Sequence, residues 1–312
     1  MSLLLLAGPS NVPLSLGIAG ILGIQPADCE FGRFPDGELH VLIGESVRGA
    51  DVYVVQSTSP PVDAHLMQLL LLADACRRAG AARLTGVVPY FGYSRQDRRA
   101  SGREPIGARL VADLLATGGL ARVVAVDLHT SALEGTFSVP LEHVTAVPLL
   151  AEAVRAALPE KAVLVSPDLG ATKLAERYAR ILDLPVAFVH KQRVSGTSIT
   201  VRGITGEVRG RAPVIVDDMI STGGTIEGAV RALVAAGAVP EFLVVATHGL
   251  LVGDALQRLA ALPIRSMLVS DSIESKPSPL LSLRTVGIAP LLADVIRRLH
   301  QDRSLSDLLV HT

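Results

Sequence analysis

The stretch VIVDDMISTGGTI, residues 214–226, decides the fold. An apolar run, Val214–Val216, enters two adjacent aspartates, Asp217 and Asp218, and then a small, hydroxyl-rich turn. In that turn Ser221, Thr222, Gly223, Gly224 and Thr225 offer backbone N–H groups with little side chain in the way, plus three hydroxyls. Gly224 and Thr225 open a helix with Glu227 in its first turn. A nest of amides at a helix N-terminus suits a phosphate monoester. Carboxylates in contact with that phosphate would repel it. Asp217 and Asp218 make sense if they face sugar hydroxyls or a magnesium ion a short distance away. The stretch reads as a sugar-phosphate cradle, and its plainer alternative is a βα turn with Asp and Thr as helix caps. No GxxxxGK[ST] occurs, which excludes a Walker-type nucleotide loop.

Outward from this stretch, short β-rich runs alternate with helical segments. Strands are expected at Leu3–Ala7, Asp51–Gln56, Arg83–Pro89, Arg122–Asp127, Ala162–Ser166, Val186–Val189, Val214–Val216, Glu241–Ala246 and Arg265–Val269. Helices are expected near 62–79, 105–118, 147–157, 170–183, 224–237 and 289–300. Continuous apolar strands between amphipathic helices predict parallel sheets covered on both faces. The strands exceed one comfortable sheet, and SVPLEHVTAVP (138–148), with two prolines, reads as a crossover between domains. The expected fold is therefore α/β with two related domains, 1–143 and 144–312, each a mainly parallel sheet flanked by helices. The carboxyl-terminal tail could pack back on the first domain. Ligands of such sheets gather at the carboxyl ends of the strands.

Composition narrows the function classes. Hydrophobic residues make up 49% and charged residues 19%, which supports a sizeable core. Aromatics are 3%, so base-stacking platforms have little material. Lys+Arg 29 against Asp+Glu 30 gives a net charge of −1, arguing against a nucleic-acid coat or an anionic membrane surface. Cys29 and Cys76 form no CxxC and no zinc spacing, and read as reduced structural cysteines. Residues 1–27 carry no charge, but Pro9, Asn11 and Pro13 interrupt their apolar run and no basic n-region precedes it. A cytoplasmic protein is expected.

Six ordered motifs then carry a resemblance. They are GRFPDGELHVLIGESVRGADVYVVQST (32–58), VVPYFGYSRQDRRASGREPIGARLVADLL (87–115), VDLHT (126–130), SPDLG (166–170), HKQR (190–193) and VIRRLHQDRSLSDLL (295–309). With the 214–226 loop, the chain resembles the ribose-phosphate diphosphokinases (PRPP synthetases), of type I phosphoribosyltransferase fold, over nearly its whole length. The resemblance implies transfer of the β,γ-diphosphoryl group of ATP to the anomeric hydroxyl of ribose 5-phosphate, giving PRPP and AMP, with Mg2+ as cofactor. It also implies a homo-oligomer, commonly a hexamer of dimers, with ATP sites drawn from two subunits.

Each motif has a bland alternative beside its implied role. Phe34, Asp36 and Glu38 would contact adenine, although Pro-Asp-Gly is also a favourable turn sequence. Arg95 and Gln96 would complete the ATP site, although RQDRR also reads as a solvated charge run. His129 and Asp168 would serve the metal on the phosphates, although the first could be structural and the second an N-cap. Lys191 and Arg193, two apart, point to one face of an extended segment and would stabilise the transferring group. Their alternative is a surface hairpin with solvated bases. Asp217, Asp218, Ser221, Thr222, Gly223, Gly224 and Thr225 would hold ribose 5-phosphate. Residues matching an allosteric site for phosphate or ADP are Ser46, Arg48, Arg103, Ser304, Leu305 and Ser306. The chain departs from the common pattern at Ser221, Ala171 and Gln192. Two rivals share the fold. A PRPP-consuming transferase gives no reason for FPDGE, RQDRR or the Lys191/Arg193 segment, and a non-catalytic regulatory homologue tends to lose them.

Overall fold

The computed structural model of the chain describes residues 1–99, 101–193 and 199–310, with the backbone alone for 191–193 and 199–202. It divides into two compact units. One comprises Met1–Thr145, Ser272–Glu274 and Gly287–Thr312, and the other comprises Ala146–Asp271 and Ser275–Val286. The expected boundary at 143/144 thus compares with Thr145/Ala146. The larger difference is at the carboxyl end, where Gly287–Thr312 belongs with the first unit.

In chain order the first unit carries β1 (Leu3–Ala7), α1 (Val12–Leu22), β2 (Cys29–Arg33), β3 (Leu39–Ile43), β4 (Asp51–Val55), α2 (Val62–Arg78), β5 (Arg83–Val88), α3 (Gly107–Gly118), β6 (Arg122–Val126), a 3-10 turn (Ser131–Thr136) and β7 (Leu141–Val144). The second carries α4 (Val147–Arg155), β8 (Ala162–Ser166), α5 (Thr172–Leu182), β9 (Val186–Arg193), β10 (Ile199–Thr205), β11 (Ala212–Ile220), α6 (Gly224–Ala235), β12 (Phe242–Gly249), α7 (Ala255–Ala260), β13 (Ile264–Ser270) and β14 (Leu283–Val286). Helix α8 (Ala289–His300) then rejoins the first unit.

The first sheet is wholly parallel, in the order β1-β4-β5-β6-β7. Its β4 strand is buried at every position, as expected of a strand covered on both faces. One face packs Val52, Val54, Val123 and Ala125 against Leu69 and Leu72 of α2 and Leu115 of α3. Helix α1 packs against α8. The β2–β3 hairpin forms a separate two-stranded sheet beside α2. Within 138–148, read as a crossover between domains, β7 first pairs with β6 as an ordinary parallel strand, and the chain then changes unit at Thr145/Ala146.

The end of α8 is tied down by a buried charge. Asp51, fully buried at the start of β4, accepts from Arg83 Nε at 2.8 Å and Nη2 at 2.6 Å and from Tyr53 Oη at 3.1 Å, and its Oδ2 lies 2.7 Å from His300 Nδ1. Burial pushes this carboxyl up, but the Arg83 and His300 hydrogen bonds win and hold it below the ordinary carboxylate value. Beyond α8 the tail meets β7 through an antiparallel bridge, Val144 to Leu309.

The second sheet runs β10-β9-β8-β11-β12-β13-β14, with only β10 antiparallel to its neighbour. Its core includes Val163, Val165, Ile215, Val230, Leu233 and Val244. The spatial orders differ between the units. The first follows the chain from β4 to β7, whereas the second turns back between β8 and β11, since β9 lies on one side of β8 and β11 on the other. That reversal is a topological switch point, where open α/β sheets leave a crevice beyond the strand ends. Cys29 and Cys76 are both free thiols; burial, the largest cause, pushes them up to about 11 and about 12, leaving them protonated and inert. No helix among the described residues is long and apolar enough to cross a membrane.

Candidate active site

The switch point brings three sequence-selected carboxylates together. Strand β11 runs through Ile220, so Asp217 and Asp218 are its own residues and not the turn after it. Its first five residues are buried, which fixes where the aspartates emerge. Asp168 follows β8, the neighbouring strand. One of its oxygens, Oδ1, accepts from the amides of Gly170 at 2.9 Å and Ala171 at 3.3 Å. That oxygen closes a local turn before α5, whose own N-cap is Ala171, so the capping alternative does not hold as stated. Gly170 has Asp168 Oδ1 only 3.2 Å from where a Cβ would sit. Ala171 carries its methyl buried and its amide bonded, so this departure from the common pattern is accommodated.

Asp217 is pushed well above the ordinary carboxylate value, first by burial and then by the Asp218 and Asp168 carboxylates. Its Oδ1 also accepts the Asp218 amide at 3.0 Å. Like charges gathered in a partly desolvated crevice are costly without a counter-charge. Magnesium fits this donor set: it takes one or two carboxylates and fills the rest of its shell with water and phosphate oxygens. No group of three or more His, Cys, Asp or Glu among the described residues could hold a metal ion by itself.

The 221–225 turn is shaped by its neighbours. Gly223 has φ 77 and caps α6 with no side chain. A Cβ there would sit 3.1 Å from Leu259 Cγ. The Leu251 amide donates to Ile220 O at 3.0 Å and the Val252 amide to Ser221 O at 3.1 Å, clasping the turn where it leaves β11. Leu251 itself has φ 46. Glu227 in the first turn of α6 is engaged by Arg231 and Arg258, whose hydrogen bonds hold it below the ordinary value. Its charge is thereby balanced, and the helix N-terminus stays attractive to an anion. A Gly223→Ala variant is expected to weaken the hold of this turn on a bound phosphate about tenfold. The left-handed conformation costs an L-residue about 1–2 kcal/mol. Titration with inorganic phosphate would check this, and an unchanged affinity would contradict it.

In the first unit, Phe34, Asp36 and Glu38 form the tip of the β2–β3 hairpin. The Gly37 amide donates to Phe34 O at 2.8 Å, Gly37 has φ 96, and Asp36 Oδ1 accepts from the Glu38 amide at 3.1 Å. Pro-Asp-Gly is indeed a tight turn, and it presents Phe34 50% exposed, edge-on to His40. Arg95 and Gln96 are exposed before α3, and the Gln96 side chain lies over Gly107, where a Cβ would meet Oε1 at 2.5 Å. His129 is exposed just beyond β6. Two residues earlier, Asp127 has φ 37, a strained conformation costing of order 1–3 kcal/mol.

Leu305 and Ser306 line a cavity of about 320 Å³ together with Tyr53, Arg83, Arg122 and Glu142. Ser304 Oγ lies 2.8 Å from Ser306 Oγ. Ser46, Arg48 and Arg103 are exposed and do not line that cavity. Lys191 and Arg193 fall on β9, which continues past the expected Val186–Val189 and pairs with β10 in a hairpin, Ile199 opposite Arg193 and Val201 opposite Lys191. Their side chains, and residues 194–198, lie outside the described residues. The register shifts between Val201 and Gly203, an irregularity opposite Lys191 and His190.

Sequence reasoning missed the Leu251–Val252 clasp and the strained Asp127. No residue-type signal marks the first. An Asp at a strand end, tolerant of positive φ, could have flagged the second.

A parallel α/β sheet with an amide nest and paired carboxylates at its switch point, joined to a second parallel α/β unit, is the phosphoribosyltransferase-like class of fold. A family model described as the N-terminal domain of ribose phosphate pyrophosphokinase matches residues 3–119, and one described as the phosphoribosyl synthetase-associated domain matches 198–310. A ribose-phosphate pyrophosphokinase of Caldanaerobacter subterraneus subsp. tengcongensis is 44% identical over 311 residues, covering 98% of both chains. The protein of that name in Bacillus subtilis is 41% identical over 298 residues, covering 95% of this chain and 94% of its own. The crystal structure of phosphoribosylpyrophosphate synthetase from Mycobacterium smegmatis superposes with a TM-score of 0.88 at 41% identity, covering 97% of this chain and 100% of that one. The chain belongs to the ribose-phosphate pyrophosphokinase family. It is a diphosphotransferase.

Proposed function

We infer that this enzyme takes ATP as donor and ribose 5-phosphate as acceptor, releasing PRPP and AMP. The observation that carries the acceptor assignment is the meeting of Asp168, Asp217 and Asp218 beside an amide nest at the switch point. Asp217 and Asp218 accept from the ribose hydroxyls, and Ser221, Thr222, Gly223, Gly224 and Thr225 surround the 5-phosphate. Ser221 supplies a hydroxyl where a carboxylate would repel that phosphate. Phe34 stacks on adenine, Asp36 and Glu38 bond its polar edge, and Arg95 and Gln96 serve the ring and triphosphate. Mg2+, held with the help of His129 and Asp168, would neutralise phosphate charge when bound.

The anomeric oxygen forms its bond to the β-phosphorus as the bridge to the α-phosphorus breaks, and AMP leaves. This transfer needs alignment and charge stabilisation more than covalent chemistry. Lys191 and Arg193 stabilise the transferring group and the leaving oxygen. The exposed Phe34 at a hairpin tip supports an adenine site completed by a neighbouring subunit, hence a homo-oligomer, at least a dimer and in this reading a hexamer. The protein works in the cytoplasm, supplying nucleotide biosynthesis. Phosphate activates and ADP inhibits through Ser46, Arg48, Arg103, Ser304, Leu305 and Ser306. A phosphate titration at fixed magnesium and ionic strength reads this regulation, and a flat response would remove it.

The test of function is direct. Purified protein incubated with magnesium-ATP and ribose 5-phosphate should yield AMP and PRPP together. Consumption of added PRPP with a free base would instead identify a transferase, and no turnover a regulatory homologue.

A further inference from the structure

The residue of interest is His143 on β7, whose side chain is 4% exposed. Its Nε2 accepts the backbone N–H of Leu128 at 2.8 Å. That amide follows Asp127, with φ 37, and directly precedes His129. Accepting at Nε2 puts the ring proton on Nδ1, and Nδ1 lies 3.4 Å from Glu134 Oε1, in the 3-10 turn after His129. A second bond reinforces the first, since the Asp127 amide donates to Val144 O at 3.0 Å. The turn that leaves β6 is thus gripped by two consecutive residues of β7.

Strand β7 is itself fixed on both edges. On one side Ala125 pairs with His143 and Val126 with Val144. On the other the Val310 amide donates to His143 O at 2.8 Å and the Thr145 amide to Leu308 O at 3.1 Å. A buried ring on a strand held from both sides has little freedom to follow a moving turn. A strained backbone persists only where its surroundings over-determine it. Here the acceptor at Nε2 meets a donor that has left the sheet and would otherwise lack a ladder partner.

We propose that His143 is a positioning residue, its Nε2 pinning the Leu128 amide and so holding the Asp127 turn that presents His129. The inference rests on the reading of His129 as a group serving the metal on the ATP phosphates. Partners that orient such a group from behind typically change metal affinity or activity by about 10–100-fold when removed.

The experiment compares His143→Leu, which removes the acceptor, His143→Gln, whose amide oxygen can replace it, and His129→Ala. Two readouts are taken. Hydrogen–deuterium exchange at the Leu128 amide is measured on protein without nucleotide or metal. Kinetics are measured with magnesium and each substrate varied. The Leu variant should exchange at Leu128 about tenfold faster or more. Its kcat should fall about tenfold and its magnesium requirement should rise, with the KM for ribose 5-phosphate within about twofold of wild type. The Gln variant should recover part of both effects. Wild-type exchange at Leu128 in the Leu variant overturns the proposal. So does wild-type kcat in that variant while His129→Ala is impaired. If His129→Ala keeps full turnover, the reading of His129 fails, and the exchange result still decides the clamp. Should the Leu variant not fold, the tautomer decides: nitrogen-15 spectra of the wild type must show the proton on Nδ1, and a proton on Nε2 sinks the idea.

Discussion

An Asp217→Asn variant is expected to melt at a higher temperature than the wild type at neutral pH, yet to lose roughly 10–100-fold in kcat/KM for ribose 5-phosphate. The activity loss follows from exchanging a charged acceptor for a neutral one, about 1.5–3 kcal/mol for a hydrogen bond to a charged group. The stability gain follows from the sign of the linkage. Asp217 is raised in the folded protein by burial and by Asp218 and Asp168, relative to an ordinary value of 3.8. Its contribution is therefore fully favourable below that ordinary value and is lost as pH rises through the raised one. At neutral pH holding this acidic group in its buried, crowded place opposes folding, and Asn removes the acid while keeping an oxygen for the Asp218 amide. Each ~1 kcal/mol relieved raises Tm by about 2–4 °C in domains of this size. The gap should narrow as pH falls toward the ordinary carboxylate range. Thermal melts at several pH values read it, and a variant that melts lower than wild type at neutral pH would show the repulsion to be absent.

Lys191→Ala is expected to lose about 10²–10³-fold in turnover while the KM for ribose 5-phosphate stays close to wild type. A preorganised cation acting on charge that develops during phosphoryl transfer is worth that much. The proposed acceptor site lies on β8, β11 and the turn before α6, none of which contains Lys191. Single-turnover assays separate chemistry from release. Near-normal chemistry in this variant would refute the role.

The sequence was most readable where burial is two-sided. Asp51–Val55 and Val214–Val216 announce parallel strands because every position in them is covered, leaving unbroken β-branched runs. It was least readable at the edges. Strand β7 is only four residues, with Pro140 before it and Glu142 and His143 within it, and this resembles a crossover more than a strand. Strand β14 mixes exposed and half-buried positions in LRTV, giving no period to detect. At the site, the amide nest and the paired aspartates were visible because chain neighbours make them. The approach of Asp168 to Asp217 depends on β8 lying next to β11, and strand order is a property of the whole sheet that local pattern does not carry. The same holds for His143, whose role comes from a backbone amide fifteen residues away in sequence.

The way the chain passes between its two units sets how the protein can be cut. The second unit is threaded into the first, because the polypeptide leaves at Thr145 and rejoins it for good at Gly287. A fragment ending at Thr145 would lack α8, stripping the cover from α1 and leaving Asp51 without His300. The inserted unit lies within one continuous segment, 146–286, but its host is obtained only by joining separated pieces. Excising 146–286 and joining Thr145 directly to Gly287 would keep α8 with its host, whereas a simple truncation would damage it.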